Sequence, residues 1–133
     1  MASVKLISEE EATGKVKEIF GEIKEQLGID FVPNLYRAMA HIPENLEAHW
    51  NKTRVIMQRP GKLDKLTKEI IAVAVSAVNG CSYCIEVHTA AARKLGLDDE
   101  GITELITVVD LFSGLNKFSE GLQLEMDEKP WYG

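Results

Sequence analysis

A chain of 133 residues has room for one compact domain with its own core, and too little for two of ordinary size. Hydrophobic residues make up 45% and charged residues 27%, with only four prolines, a balance that excludes a disordered or fibrous chain. The net charge of -6, with fifteen Lys and Arg dispersed among acids, argues against a nucleic-acid partner, because phosphate-binding surfaces gather positive charge on one face.

The opening stretch MASVKLISEEE has no basic start followed by an apolar run, so no secretory signal is visible and a cytoplasmic location is expected. The capping-box pair Ser8 and Glu11 predicts a helix from about 9 to 27, with Val16, Ile19, Phe20, Ile23 and Leu27 facing inward and Gly28 as its left-handed terminator. Pro33 and Pro43 suit helix starts, so VPNLYRAMAH reads as a short helix and PENLEAHWNKTRVIMQR as one longer helix stopped at Pro60-Gly61. Leu46, Trp50, Thr53 and Met57 mark the inner stripe of the longer helix. Tyr36, Trp50 and Phe112 are assigned to the core, while Met39, Met57 and Met126 are assigned to gap filling. His41 and His49 lack clustered partners and read as ordinary helix residues.

Asp64 is placed to cap a helix over 65–78, whose second half, IIAVAVSAV, is apolar on nearly every side and so is expected in the middle of the molecule. That nine-residue run includes Ser76 and falls short of the ~20 apolar residues a membrane span needs, so no membrane partner is expected. Asn79-Gly80 ends it. A helix from 81 to 95 follows, closed by Gly96. Asp98 caps the next, with Ile102, Leu105, Ile106 and Val109 as its buried face, and a last short helix is expected near 114–126. Residues 129–133 are expected either to be loose or to dock Trp131 and Tyr132 on a neighbour. The whole of 1–133 reads as one domain, with 1–8 and 127–133 as candidate loose tails.

The run IIAVAVSAV could also be a buried parallel strand, and a strand entering C-x-x-C at a helix start is the thioredoxin arrangement. That fold needs several further strands. The remaining apolar residues recur at three and four instead, so the chain is read as all-α.

Both cysteines lie in NGCSYCIEVHT. On a helix, Cys81, Cys84 and His88 fall within about 60° of one another, while Glu86 is turned toward solvent. A helix start favours thiolate over thiol. His88, four residues after Cys84, is placed to accept or relay a thiol proton, and one turn brings two cysteines within disulfide range. Inert packing and a zinc site stand as alternatives, the latter weakened by the lack of a second C-x-x-C or His pair. Glu69 enters the apolar run, where a carboxylate needs a partner. If the helices on either side of Gly80 fold back on each other, it lies about a turn from His88; the alternative is an exposed helix edge beside Lys65 and Lys68.

Glu69, eleven residues, Cys81-Ser-Tyr-Cys84, three residues and His88 together resemble the signature of AhpD-like alkylhydroperoxidases in the carboxymuconolactone decarboxylase family. NLYRAMAHIPENLEAHW is similar to the family's helical entry, and the resemblance covers roughly residues 15 to 112. It implies an all-α, AhpD-like helical bundle of about six to seven helices, assembled as a trimer or hexamer. It also implies a thiol-dependent peroxidase in which Cys81 and Cys84 are the redox pair and Glu69 and His88 a proton relay, usually through water. Its partners would be a hydroperoxide or disulfide substrate and an external dithiol reductant, with no cofactor and no metal. Well-known family peroxidases carry histidine where this chain has Tyr83, which bears on peroxide efficiency and substrate. The decarboxylase branch lacks the cysteine pair, so CSYC weighs against lactone decarboxylation.

Overall fold

The computed structural model describes residues 1–129, and Trp131 and Tyr132, with the expectation attached to them, lie outside that range. Among the described residues the chain is all-helical, with six α-helices, one π turn and no strand. It divides into two compact units, Met1–Arg59 and the chain from Pro60 onward.

The first unit holds α1 (Gly14–Leu27), α2 (Asn34–Met39), α3 (Pro43–Thr53) and the π turn (Arg54–Gln58). The capping box forms as expected: Ser8 N-H donates to Glu11 Oε2 at 3.0 Å, and Glu11 N-H donates to Ser8 Oγ at 3.1 Å. It closes only one turn, however, and α1 starts at Gly14 rather than near residue 9. Thr13 is extended, and Gly14 takes φ +53°, a left-handed value that glycine reaches without a Cβ clash. Lys5, then the Ser8 N-H and hydroxyl, hold the Glu11 carboxyl down to about 2. Ile7, inside the stretch considered as a loose tail, exchanges hydrogen bonds with Arg37: the Ile7 N-H donates to the Arg37 carbonyl, and Arg37 Nε donates to the Ile7 carbonyl.

Val16, Ile19, Phe20 and Ile23 of α1 are buried against Val32, Tyr36, Leu46 and Trp50. Tyr36 meets Trp50 edge to face, with ring centroids 5.6 Å apart, and the indole N-H donates to Glu22 Oε2 at 3.1 Å. A large aromatic is thereby sealed with its one polar atom satisfied. The helix expected to run unbroken to Pro60 instead leaves α geometry after Thr53. The Thr53 hydroxyl donates back to the His49 carbonyl at 2.8 Å, a bond that competes with the helical ladder there. The widened π turn then shifts the register. Leu46 and Trp50 are sealed, whereas Thr53 and Met57 are only half-buried. His41 and His49 are exposed, and His41 hydrogen-bonds the Lys5 carbonyl.

The second unit holds α4 (Lys65–Asn79), α5 (Ser82–Lys94) and α6 (Asp99–Gly121). Asp64 caps α4 by accepting the Thr67 N-H at 2.7 Å, and Asp98 caps α6 by accepting the Gly101 N-H at 2.9 Å. Residues 70–78 lie within α4, so the strand alternative and its thioredoxin arrangement do not occur. The two helices expected over 98–126 are one helix of 23 residues. Gly114 sits within it, since a glycine inside a helix weakens it without ending it.

The central burial expected of IIAVAVSAV is not found in the single chain. Val73 is sealed, but Ile71, Val75 and Val78 are exposed. On α6 only Leu105 is fully buried, Ile106 is exposed, and Phe112, expected in the core, is 54% exposed. Met126 fills no gap and is almost fully exposed. A helix that is apolar around more than one face covers only the side that meets its neighbour, and in this unit α4 meets α5 and α6. No helix among the described residues is long and apolar enough to cross a membrane.

Candidate active site

The junction of α4 and α5 places the cysteines. Gly80 takes φ +71°, and a Schellman pair closes α4, with Gly80 N-H donating to the Ala77 carbonyl and Cys81 N-H to the Ser76 carbonyl. The chain reverses there, so Cys81 becomes the N-cap of α5. Its Sγ accepts the Cys84 N-H at 3.3 Å, as a serine cap accepts with oxygen.

Both thiols are free, partly accessible, and hydrogen-bonded to each other. The shared hydrogen bond separates their acidities. The Cys84 side chain, then the Cys84 backbone N-H, pull the Cys81 thiol below its ordinary value against the opposing effect of burial, with a lesser pull from the Tyr83 N-H. The same bond to Cys81, then burial, then the Cys81 charge push Cys84 up, and a hydrogen bond from the Ser76 side chain partly offsets this. The pair is therefore arranged as a Cys81 thiolate beside a Cys84 thiol. An expected result follows for labelling of the reduced protein with iodoacetamide across pH. Cys81 should react with a midpoint below the usual cysteine value of about 8.5, and Cys84→Ala should move that midpoint upward. A Cys81 midpoint at or above the ordinary value would contradict the assignment.

One turn beyond Cys84, His88 meets α4. Its Nδ1 lies 2.6 Å from Glu69 Oε2, with side-chain exposures of 32% and 17%. A ring N-H donated from Nδ1 to the carboxylate leaves Nε2 as the proton-accepting nitrogen of the neutral imidazole. The contact gives Glu69 the partner its place in an apolar helix demands. The structure thus forms two close pairs, Cys81 with Cys84 and Glu69 with His88. Among the described residues no hydrogen bond joins His88 to either sulfur. Glu86 is exposed, as its rotation on α5 predicts. No group of three or more His, Cys, Asp or Glu side chains among the described residues is placed to hold a metal ion.

Ser76 is the site residue that sequence reading missed. Its carbonyl receives the Cys81 N-H, and its side chain draws the Cys84 thiol down against the larger effects that raise it. The available signal was a single hydroxyl inside an otherwise apolar nine-residue run, seven residues after Glu69 and so on the same helical face.

An all-helical fold carrying a dithiol at one helix start, with a carboxylate-imidazole pair beside it, defines a class of thiol proteins. The chain belongs to the carboxymuconolactone decarboxylase family, whose profile matches residues 43–124, and within it to the AhpD-like alkylhydroperoxidases. A crystal structure of the alkylhydroperoxidase AhpD core from Rhodospirillum rubrum superposes with a TM-score of 0.91 at 37% identity, over 96% of each chain. The alkyl hydroperoxide reductase AhpD of Coxiella burnetii is 31% identical over 100 residues, 73% of this chain and 56% of that protein. AhpD of Brucella abortus is 32% identical over 96 residues, 69% of this chain and 54% of that protein. The chain therefore spans just over half the length of these curated relatives.

Proposed function

We propose that this protein is a thiol-dependent peroxidase that reduces hydroperoxides through a Cys81/Cys84 dithiol-disulfide cycle, with Glu69 and His88 as its proton relay. The observation that carries the reading is the hydrogen-bonded pair of free thiols at the α5 cap, one acidified and the other holding its proton. The Cys81 thiolate attacks the terminal O-O oxygen. The O-O bond breaks, and with one proton delivered to the leaving oxygen the products are an alcohol and a Cys81 sulfenic acid. Cys84 then loses its proton and attacks the oxidised sulfur, forming the S-S bond and releasing water. An external dithiol reduces the disulfide by exchange and leaves as its own disulfide.

The relay fits both proton movements. His88 Nε2 takes or returns the proton through an intervening water, and Glu69 stabilises the imidazolium that forms. The names of the relatives above support hydroperoxide as the substrate class. Exposed apolar side chains on α4 and α6, among them Val75, Val78, Phe112, Leu115 and Phe118, support assembly as a homotrimer or homohexamer.

The test is a thiol titration before and after a mild excess of cumene hydroperoxide. Loss of two thiols per chain, restored by a dithiol, is the expected result. Two thiols retained, together with stoichiometric zinc in the purified protein, would replace the cycle with a metal-binding role.

A further inference from the structure

Two polar side chains project from α4 toward the reactive stripe of α5. Glu69, Val73 and Ser76 recur at four and three residues, so they share one face of α4, and on α5 Cys84 and His88 are one turn apart on another. Glu69 bonds His88 across the two faces, and Ser76 stands two turns further along the same face of α4, at the dithiol end, with the sealed side chain of Val73 between the two α4 positions. Ser76 is also fixed in place by its own backbone, because its carbonyl takes the Cys81 N-H at 3.0 Å. Its backbone is thereby joined to Cys81, whose sulfur adjoins that of Cys84, so the Ser76 hydroxyl is held beside the dithiol.

Resting on the peroxidase reading above, we infer that the Ser76 hydroxyl acts in the second chemical step, donating a hydrogen bond to the Cys84 sulfur as that thiol gives up its proton and attacks oxidised Cys81. The chemistry makes this step the one in need of help. Cys81 enters the cycle already favoured as a thiolate by the N-H groups at the α5 cap. Cys84 is less exposed to those groups and is held protonated while Cys81 carries charge. Attack on Cys81 by peroxide turns that charge into a neutral sulfenic acid, which removes both the repulsion and the acceptor that kept the Cys84 proton in place. The proton then leaves toward His88 and solvent, negative charge develops on Cys84 Sγ, and Ser76 is the hydroxyl-bearing residue that α4 holds beside the dithiol. The S-S bond forms, the sulfenic oxygen departs as water with one added proton, and Ser76 is left chemically unchanged. No reductant or oxidant beyond the hydroperoxide enters.

The shape-matched pair Ser76→Thr and Ser76→Val isolates the hydroxyl, and Ser76→Ala provides a smaller variant favourable to helix. Each reduced full-length protein is mixed with cumene hydroperoxide. Sulfenic acid is trapped by a 1,3-dione and counted by mass, and disulfide closure is timed separately. Without the hydroxyl, in Ser76→Val and Ser76→Ala, closure slows by about tenfold, the loss expected of one hydrogen bond to a developing charge, and its pH profile moves upward. Sulfenic acid forms at the wild-type rate but persists, and over-oxidation to sulfinic acid at high peroxide increases. Ser76→Thr keeps closure within about twofold of wild type, since the donor is retained. Equal closure rates and pH profiles in the threonine and valine variants would overturn the inference while leaving the peroxidase reading intact. Failure of the wild-type protein to form any disulfide would instead remove that reading.

Discussion

Replacing either cysteine with serine abolishes dithiol-dependent turnover of cumene hydroperoxide, and the two variants fail at different points. In Cys81→Ser the hydroxyl at the α5 cap is not ionised near neutral pH, so no nucleophile meets the peroxide, and Cys84 remains a thiol whose burial favours the protonated form. The rate falls to the uncatalysed background. In Cys84→Ser the cap N-H groups still stabilise the Cys81 thiolate, so one equivalent of peroxide is consumed per chain and the reaction stops at the sulfenic acid for want of a resolving thiol. Stopped-flow consumption of peroxide combined with mass analysis separates the two. A single turnover in Cys81→Ser, with none in Cys84→Ser, would reverse the order of attack. Undiminished steady-state activity in both variants would eliminate the dithiol cycle altogether.

The second large effect belongs to the relay. His88→Ala lowers kcat by about a hundredfold or more, the usual contribution of a positioned acid-base group, while the cysteines remain able to react stoichiometrically. Glu69→Gln keeps an oxygen that can accept the Nδ1 proton but removes the charge that stabilises an imidazolium, so the loss is smaller, about tenfold. The double variant should fall little below His88→Ala, because Glu69 acts through the imidazole. Steady-state rates across pH, with helicity checked by circular dichroism, decide the matter. A His88→Ala protein within twofold of wild type would leave the 2.6 Å contact a structural ion pair and nothing more.

Local features carried most of the first level of organisation. Asp64 and Asp98 are caps because a short carboxylate reaches the N-H three residues on, and Gly28 and Gly80 end helices because they accept left-handed φ; both effects lie within a few residues of chain. The apolar spacing of α1 is likewise readable, since one helical face answers one core. The same locality explains the misreadings. The Ser8-Glu11 box announces a helical start but contains nothing about the extended Thr13 and left-handed Gly14 that limit it to one turn. The apolar runs of α4 and α6 specify that surface needs covering without specifying by what, so Phe112 and most of IIAVAVSAV, apolar in pattern, are not sealed within the single chain.

The site divides in the same way. Cys81, Cys84 and His88 sit on one stretch of helix, and their spacing alone brings them to a common stripe. Glu69 and Ser76 come from another helix, and only the packing of α4 on α5 and the sharp reversal at Gly80 decide that one meets His88 and the other stands beside the dithiol. Contacts between residues a few positions apart follow from backbone period, whereas contacts across a hairpin depend on register and side-chain packing that no single helix encodes.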